Sequence, residues 1–164
     1  MKPGDCNISA ASAQMNRQCF GKLSTAVCKV AGREGTGMDE HGAVLNPLSK
    51  RIIGCGLNVA GTLGNGFLEK VYENALAHEL RKAGLNVAQQ RGITVMYDGV
   101  VVGEYFIDLL VEASILVELK TVAELSSAHR AQCLNYLRAT GMHLCLLMNF
   151  GRPRLEVRRV VFDL

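Results

Sequence analysis

Asp108, Glu118 and Lys120 lie in the run FIDLLVEASILVELK at the spacing Asp, nine residues, Glu, one residue, Lys. Read as two strands joined by a tight turn, the run places Phe106, Asp108 and Leu110 on one side of the first strand. In the second, Leu116, Glu118 and Lys120 face opposite Ile115, Val117 and Leu119. Two carboxylates and an ammonium are thus carried on strands that otherwise read as core. Burying a charge costs several kcal/mol unless it is paired or bound to metal, so packing alone does not explain the pattern. Two acids on adjacent strands suit a hard divalent cation such as Mg²⁺ or Mn²⁺, which prefers oxygen ligands and keeps some of its waters. Lys120 points to the same side as Glu118, where it could orient or deprotonate a water or neutralise charge growing on a phosphate. A cross-strand salt bridge of Lys120 with Asp108 or Glu118 explains the same three residues, and from them alone the two readings stand level.

The elements that must position these residues follow from periodicity. LSKRIIGCGLNVA, from about Leu48 to Ala60, allows a helix with Ile52, Ile53, Leu57 and Val59 inward despite the cost of Gly54 and Gly56. After GTLGNG, a stronger helix opens at Gly66, buries Leu68, Tyr72, Ala75, Leu76, Leu80 and Ala83, and stops at Gly84. Glu69 sits at the edge of that stripe, and taken by itself it is better explained as a glutamate complementing the helix dipole. Strands are expected over 87–97, 100–111 and 114–120, with an Asp98-Gly99 hairpin turn, as an antiparallel meander. Ser126 or Ser127 caps a helix through about Ala139, ended by Gly141. His143–Phe150 reads as a central strand and Leu155–Phe162 as one more. On the late helix, His129, Gln132 and Tyr136 share a face, as a polar stripe bordering the acids or as an ordinary solvent face.

A chain of 164 residues that is 49% hydrophobic supports one ordinary core. Of the net charge of +3, residues 1–37 contribute 5 − 2 = +3 and residues 38–164 contribute 13 − 13 = 0. No overall field advertises nucleic acid, so binding would need a local patch; Arg152, Arg154, Arg158 and Arg159 are one candidate, at least as readable as a guarded edge strand. The six cysteines show no CxxC pair and read as free thiols of a reducing, cytoplasmic compartment. No apolar stretch suits a membrane span or a signal peptide. Residues 1–37, rich in Gly, Ser, Ala and Asn, are expected to be a disordered extension, with Met38 as a plausible start and 38–164 as the folded domain.

At Gly66-Phe-Leu-Glu69-Lys-Val-Tyr72 the chain resembles the signature of the GxxExxY proteins. The resemblance runs from about Leu48 to Val161 and includes YENAL, DLLVE, VELK, His129-x-x-Gln132-x-x-x-Tyr136-Leu137 and LLMNFG. That family is assigned to the PD-(D/E)xK nucleases, so the resemblance implies an α/β fold. Its restriction-endonuclease-like αβββαβ core has a central mixed sheet flanked by helices. It further implies Asp108, Glu118 and the Leu119 carbonyl as ligands of Mg²⁺ or Mn²⁺, Lys120 as the catalytic lysine, and Glu69 as an added acid from the first core helix. Gln132 and Tyr136 resemble the QxxxY motif of the RecB-type branch, which helps hold DNA and orient the site. Relatives commonly carry a histidine where this chain has Ala60. The implied activity is metal-dependent hydrolysis of nucleic acid, DNA before RNA, with a homodimer expected if both strands are cut. The alternative is a nucleic-acid- or protein-binding module on a nuclease fold that does not cut.

Overall fold

In the computed structural model, residues 40–162 are described, with side chains from residue 46 onward; the expectations for 1–37 and Met38 lie outside them. The element order is α1 (Glu40–Leu63), α2 (Glu69–Lys82), β1 (Val87–Tyr97), β2 (Val100–Val111), β3 (Ile115–Lys120), α3 (Ser127–Thr140), β4 (Leu144–Asn149) and β5 (Glu156–Val161). The strands form one sheet in the order β1-β2-β3-β4-β5, antiparallel except for the parallel pair β3–β4. A mixed sheet with helices on both faces is therefore the architecture, and α2-β1-β2-β3-α3-β4 supplies the expected αβββαβ core.

The two central strands explain the layering. Residues Ile115–Leu119 of β3 and all six residues of β4 are buried, so both sheet faces must be covered. Val117, Leu119, Leu146 and Met148 pack with Ile52, Tyr72, Leu76 and Leu80 of α1 and α2. Leu116, Cys145 and Leu147 pack with Cys133, Tyr136 and Leu137 of α3. Cys55, Cys133 and Cys145 are buried free thiols. Among the described residues no helix is long and apolar enough to cross a membrane.

Local chemistry fixes the ends of the helices. Ser126 caps α3, its hydroxyl accepting the His129 N–H while the His129 ring accepts the Ser126 N–H. His129 is thereby assigned to the cap rather than to the polar stripe, and Gly141 closes the helix in the left-handed conformation. Helix α2 begins at Glu69, not Gly66, because Gly66 has φ 112, a conformation no helix uses and side chains avoid. With that start the buried face shifts: Leu68 is 79% exposed and Ala83 is exposed, while Glu73 and Ala77 are buried.

Helix α1 also runs longer than its glycines suggest, through Pro47 and on to Leu63. Gly56 explains part of this: a Cβ there would collide with Met148 and crowd Leu155, so its absence lets α1 lie directly on β4. On the other flank, the charged β5 matches the guarded-edge reading. Arg158 pairs with Glu156 at 2.8 Å, and Arg159 donates to the Asn46 side chain.

The sheet end that carries Lys120 is pinned by a buried amide. Asn149 Oδ1 accepts the N–H groups of Val122 and Gly151, and Nδ2 donates to the Val122 carbonyl at 2.8 Å. Phe150 N–H donates to the Lys120 carbonyl at 2.7 Å. Asn149→Ala would strand buried backbone groups, and a loss of about 2–3 kcal/mol in a urea melt is expected. A loss below about 0.5 kcal/mol would show that water replaces the amide without cost.

Candidate active site

The β2–β3 ladder consists of three pairs, Leu109↔Val117, Leu110↔Leu116 and Val111↔Ile115, and ends there. Beyond it β3 continues against β4 alone, from Glu118↔Leu147 to Lys120↔Asn149. A gap thus opens between β2 and β3 at the C-terminal end of a parallel strand, a common place for a ligand crevice in α/β sheets. Asp108 fills the gap, its Oδ2 accepting the Leu119 N–H at 2.8 Å that the ladder would otherwise have used. In an extended strand a residue's N–H and C=O leave on the same edge. The Leu119 carbonyl therefore faces the same gap.

Asp108 also breaks the alternation of β2. Leu110 and Ile107 both pack toward α3, Leu109 and Val111 pack toward α1 and α2, and Phe106 is 60% exposed. The expected common side for Phe106, Asp108 and Leu110 is therefore not observed. Across on β1, the pairing skips Gln90, which has φ 51 between the pairs Gln89↔Leu109 and Arg91↔Ile107. Such a backbone in a non-glycine residue persists only where its surroundings hold it. Here the Gln90 amide donates to Asp108 Oδ1 at 3.3 Å and to Glu73 Oε2 at 2.9 Å.

Glu118 is 2% exposed. Lys120 Nζ meets its Oε1 at 2.6 Å, an ion pair within β3 rather than the cross-strand bridge weighed from the sequence. The other oxygen, Oε2, is buried and finds no hydrogen-bond donor among the described residues. Burial first, and the Asp108 charge second, push the Glu118 carboxyl up to about 7. Asp108 is raised chiefly by burial, against the Leu119 N–H and Lys120, which lower it. For Lys120, burial works to lower the pKa, but the hydrogen bond and charge of Glu118, with Glu69 and Asp108, outweigh it and raise the net value.

Glu69, in the first turn of α2, looks into the same field. Its carboxyl is raised by burial, lowered by Lys120 and by a Thr121 backbone hydrogen bond, and raised by Asp108. The Tyr72 side chain sets where α2 starts. Its hydroxyl donates to the Gly64 carbonyl at 2.9 Å and accepts the Phe67 N–H, while its ring stacks on Phe150 at 4.8 Å. The glycine, the tyrosine and the acid of Gly66-x-x-Glu69-x-x-Tyr72 thus have separable jobs: a turn, a latch on that turn, and a charge at the gap.

From α3, Gln132 Nε2 donates to Tyr136 Oη at 2.7 Å. The phenol, raised mainly by burial, lies in the field of Glu118, Lys120 and Asp108. Ala60 packs against the α1–α2 core.

Sequence reasoning passed over Glu73 and Gln90. Glu73 is 3% exposed and is bound by Lys70 at 2.7 Å and by Gln89 and Gln90. The usable signal was its position four residues after Glu69 on one helix face, where two carboxylates repel unless something binds them. Gln90 had no signal, since its role depends on its backbone conformation.

Among the described residues no three His, Cys, Asp or Glu side chains form a ready-made cation cage. Two carboxylates and a backbone carbonyl around an unpartnered Glu118 oxygen still suit an ion that keeps several waters.

The fold is a mixed five-stranded α/β sheet flanked by helices, with two acids and a lysine at the split between β2 and β3. This chain belongs to the PD-(D/E)XK nuclease superfamily, whose family model matches residues 46–160. Among solved structures it is similar to SSO0001, with 16% identity, a TM-score of 0.45, and coverage of 76% of this chain and 62% of that one. It is also similar to the alkaline exonuclease LHK-Exo of Laribacter hongkongensis, with 15% identity, a TM-score of 0.37, and coverage of 57% and 56%. The chain therefore spans less than two thirds of either. No curated protein matches it.

Proposed function

We propose that residues 38–164 are a nuclease domain that hydrolyses phosphodiester bonds of nucleic acid, DNA first, with Mg²⁺ or Mn²⁺ held by Asp108, Glu118 and the Leu119 carbonyl. The single observation carrying this reading is Glu118 Oε2, a buried carboxylate oxygen without a donor, in the field of a second carboxylate. A divalent cation there would supply Lewis acidity and charge neutralisation at the phosphate. Glu69 stands as a further acid of the site, close enough to influence Asp108 and Lys120 without completing a cage with them.

Lys120 acts as an ammonium. With its pKa raised, it is a poor base near neutral pH, so it orients the attacking water by donating to it and offsets charge growing on the phosphate oxygens. Gln132 fixes the Tyr136 hydroxyl, and that pair borders the acids as a contact for the nucleic-acid backbone. These features favour the GxxExxY family and the RecB-type QxxxY branch within the superfamily. The buried free thiols fit a cytoplasmic protein.

The test is calorimetric titration of Mn²⁺ and Mg²⁺ into the full-length chain, with DNA and RNA substrates assayed on the same sample with and without chelator. Metal binding with chelator-sensitive cleavage is the expected result. Binding of nucleic acid without products would leave a binding module on a nuclease fold. A folded protein that binds no metal, with or without nucleic acid, would sink the reading.

Two substitutions separate roles within the site. Lys120→Ala is expected to lower cleavage about 100-fold, and Lys120→Arg to retain more, because a cation rather than a base is required. Equal loss in both would point to proton abstraction instead. Gln90→Gly removes the clamp on Asp108 and relieves the φ 51 backbone together. Stability within about 1 kcal/mol of wild type, with cleavage reduced about tenfold, is expected. Unchanged cleavage would show that Gln90 does not position Asp108.

A further inference from the structure

A cleft of about 890 Å³ separates the β1–β2 hairpin from α3, with Met96 and Tyr105 on the hairpin side and Ala131, Gln132, Asn135 and Tyr136 on the helix side. It does not contain Asp108, Glu118 or Lys120. Tyr136 joins the two places: it lines the cleft, and its hydroxyl lies in the field of the acids. Tyr105 is half exposed, and its ring lies 6.0 Å from that of Tyr136 at 53°, leaving a face open to the cleft. Gln132 and Asn135 line the same cleft, Gln132 with one amide hydrogen already given to Tyr136 Oη.

Charge narrows what can lie there. Glu69, Glu73, Asp108 and Glu118 outnumber Lys70 and Lys120 at and beside the site, a formal 2 − 4 = −2, and residues 38–164 sum to zero. Most nuclease-type contacts draw affinity from phosphates, whereas among the residues lining the cleft only Arg138 is charged, and its guanidinium lies over the Phe162 ring at 5.3 Å. An aromatic face with amides at its edge instead suits a flat heterocycle with a polar rim. A base in a duplex cannot present that face, because it is stacked and paired.

Resting on the nuclease reading, we propose that the cleft between the β1–β2 hairpin and α3 takes an unpaired base of the substrate, stacked on Tyr105 and read by Gln132 and Asn135. The enzyme's substrate is then a single strand or a frayed end, with the phosphate beside the bound base delivered to the Asp108–Glu118 gap past Tyr136.

The test is fluorescence anisotropy of labelled single-stranded and blunt duplex DNA of one sequence with the full-length chain in chelator. Cleavage in Mn²⁺ is followed in parallel. The single strand is expected to bind at least tenfold more tightly than the duplex. Tyr105→Ala should weaken single-strand binding about tenfold, and Tyr105→Phe, which keeps the stacking face, should not. A single abasic nucleotide moved along the strand should reproduce the loss at one position without altering the protein.

Equal affinity for both forms, insensitive to Tyr105→Ala and to abasic sites, in a protein that still cleaves in Mn²⁺ would overturn the base site and leave the nuclease reading standing. A wild-type protein that neither binds nor cleaves any nucleic acid would remove both. A dimer in sedimentation that Tyr105→Ala dissociates would give the cleft to a second copy and overturn the proposal.

Discussion

Asp108→Asn is expected to reduce cleavage by at least about 1000-fold while leaving the metal-free protein folded and at least as stable as wild type. The magnitude follows from a cation supplying several kcal/mol of transition-state stabilisation, where about 4 kcal/mol corresponds to three decades in rate. The choice of asparagine matters, because Asp108 has a structural duty as well. Its Oδ2 satisfies the Leu119 N–H at the point where the β2–β3 ladder stops. Alanine would orphan that buried donor and lose about 1–3 kcal/mol, confounding chemistry with folding. The asparagine carbonyl keeps the acceptor for Leu119 and removes the charge, losing only the longer 3.3 Å bond from Gln90, which Nδ2 cannot accept. It also removes the charge that helps raise Glu118, so the metal-free fold should not suffer. Cleavage within tenfold of wild type, together with an unchanged Mn²⁺ isotherm, would show that Asp108 is a ladder cap and nothing more.

The same residue shows how far the sequence could be read. Spacing alone placed a carboxylate pair and a lysine on neighbouring strands, and the Glu112-Ala113 turn between β2 and β3, with both φ values at 50, delivers them to one gap. The element order, the three-strand meander, the central β4 and the Ser126 cap were legible because each depends on a local rule of period, turn or cap. What failed to show depended on contacts between elements. The exposure of Leu68 and the burial of Glu73 follow from where the Tyr72 latch makes α2 begin. In α1, Gly56 counted only as a cost to the helix because its conformational penalty is visible in sequence, whereas its benefit is the closeness of Met148 and Leu155. Regular alternation put Phe106 with Asp108, but that rule assumes regular backbone throughout, and the alternation of β2 changes at Asp108, opposite Gln90 with its φ of 51. The aromatic cleft escaped for a similar reason, since Tyr105 and Tyr136 are far apart in the chain and meet only when the hairpin leans over α3.

Glu118→Gln is expected to stabilise the metal-free protein above neutral pH and to remove most of its pH dependence, while abolishing metal binding. In the folded protein Glu118 titrates at about 7, against 4.5 for an ordinary glutamate. The folded state therefore holds this proton more tightly than the unfolded state. Stability from this group is fully present below about pH 4.5, declines as pH rises, and is lost above about 7. A shift of about 2.5 units corresponds to roughly 3 kcal/mol between those limits. Asp108 and Glu69 are raised in the same direction and add to the trend. Metal-free wild type should accordingly melt higher at pH 5.5 than at pH 8. Mn²⁺ should reverse that order, because a cation bound only to the folded state stabilises it and competes with the proton for Glu118. Glutamine cannot ionise, so the variant should resemble protonated wild type at both pH values and gain nothing from Mn²⁺. Urea melts at pH 5.5 and pH 8, with and without Mn²⁺, separate these outcomes. A Glu118→Gln protein with the wild-type pH slope would place the charge strain elsewhere in the site. A variant that still responds to Mn²⁺ as wild type does would remove Glu118 from the ligands. With both expected responses, the carboxylate that most weakens the empty fold is also the one that recruits the ion, and the instability of the metal-free site at pH 8 is the free energy that cation binding recovers.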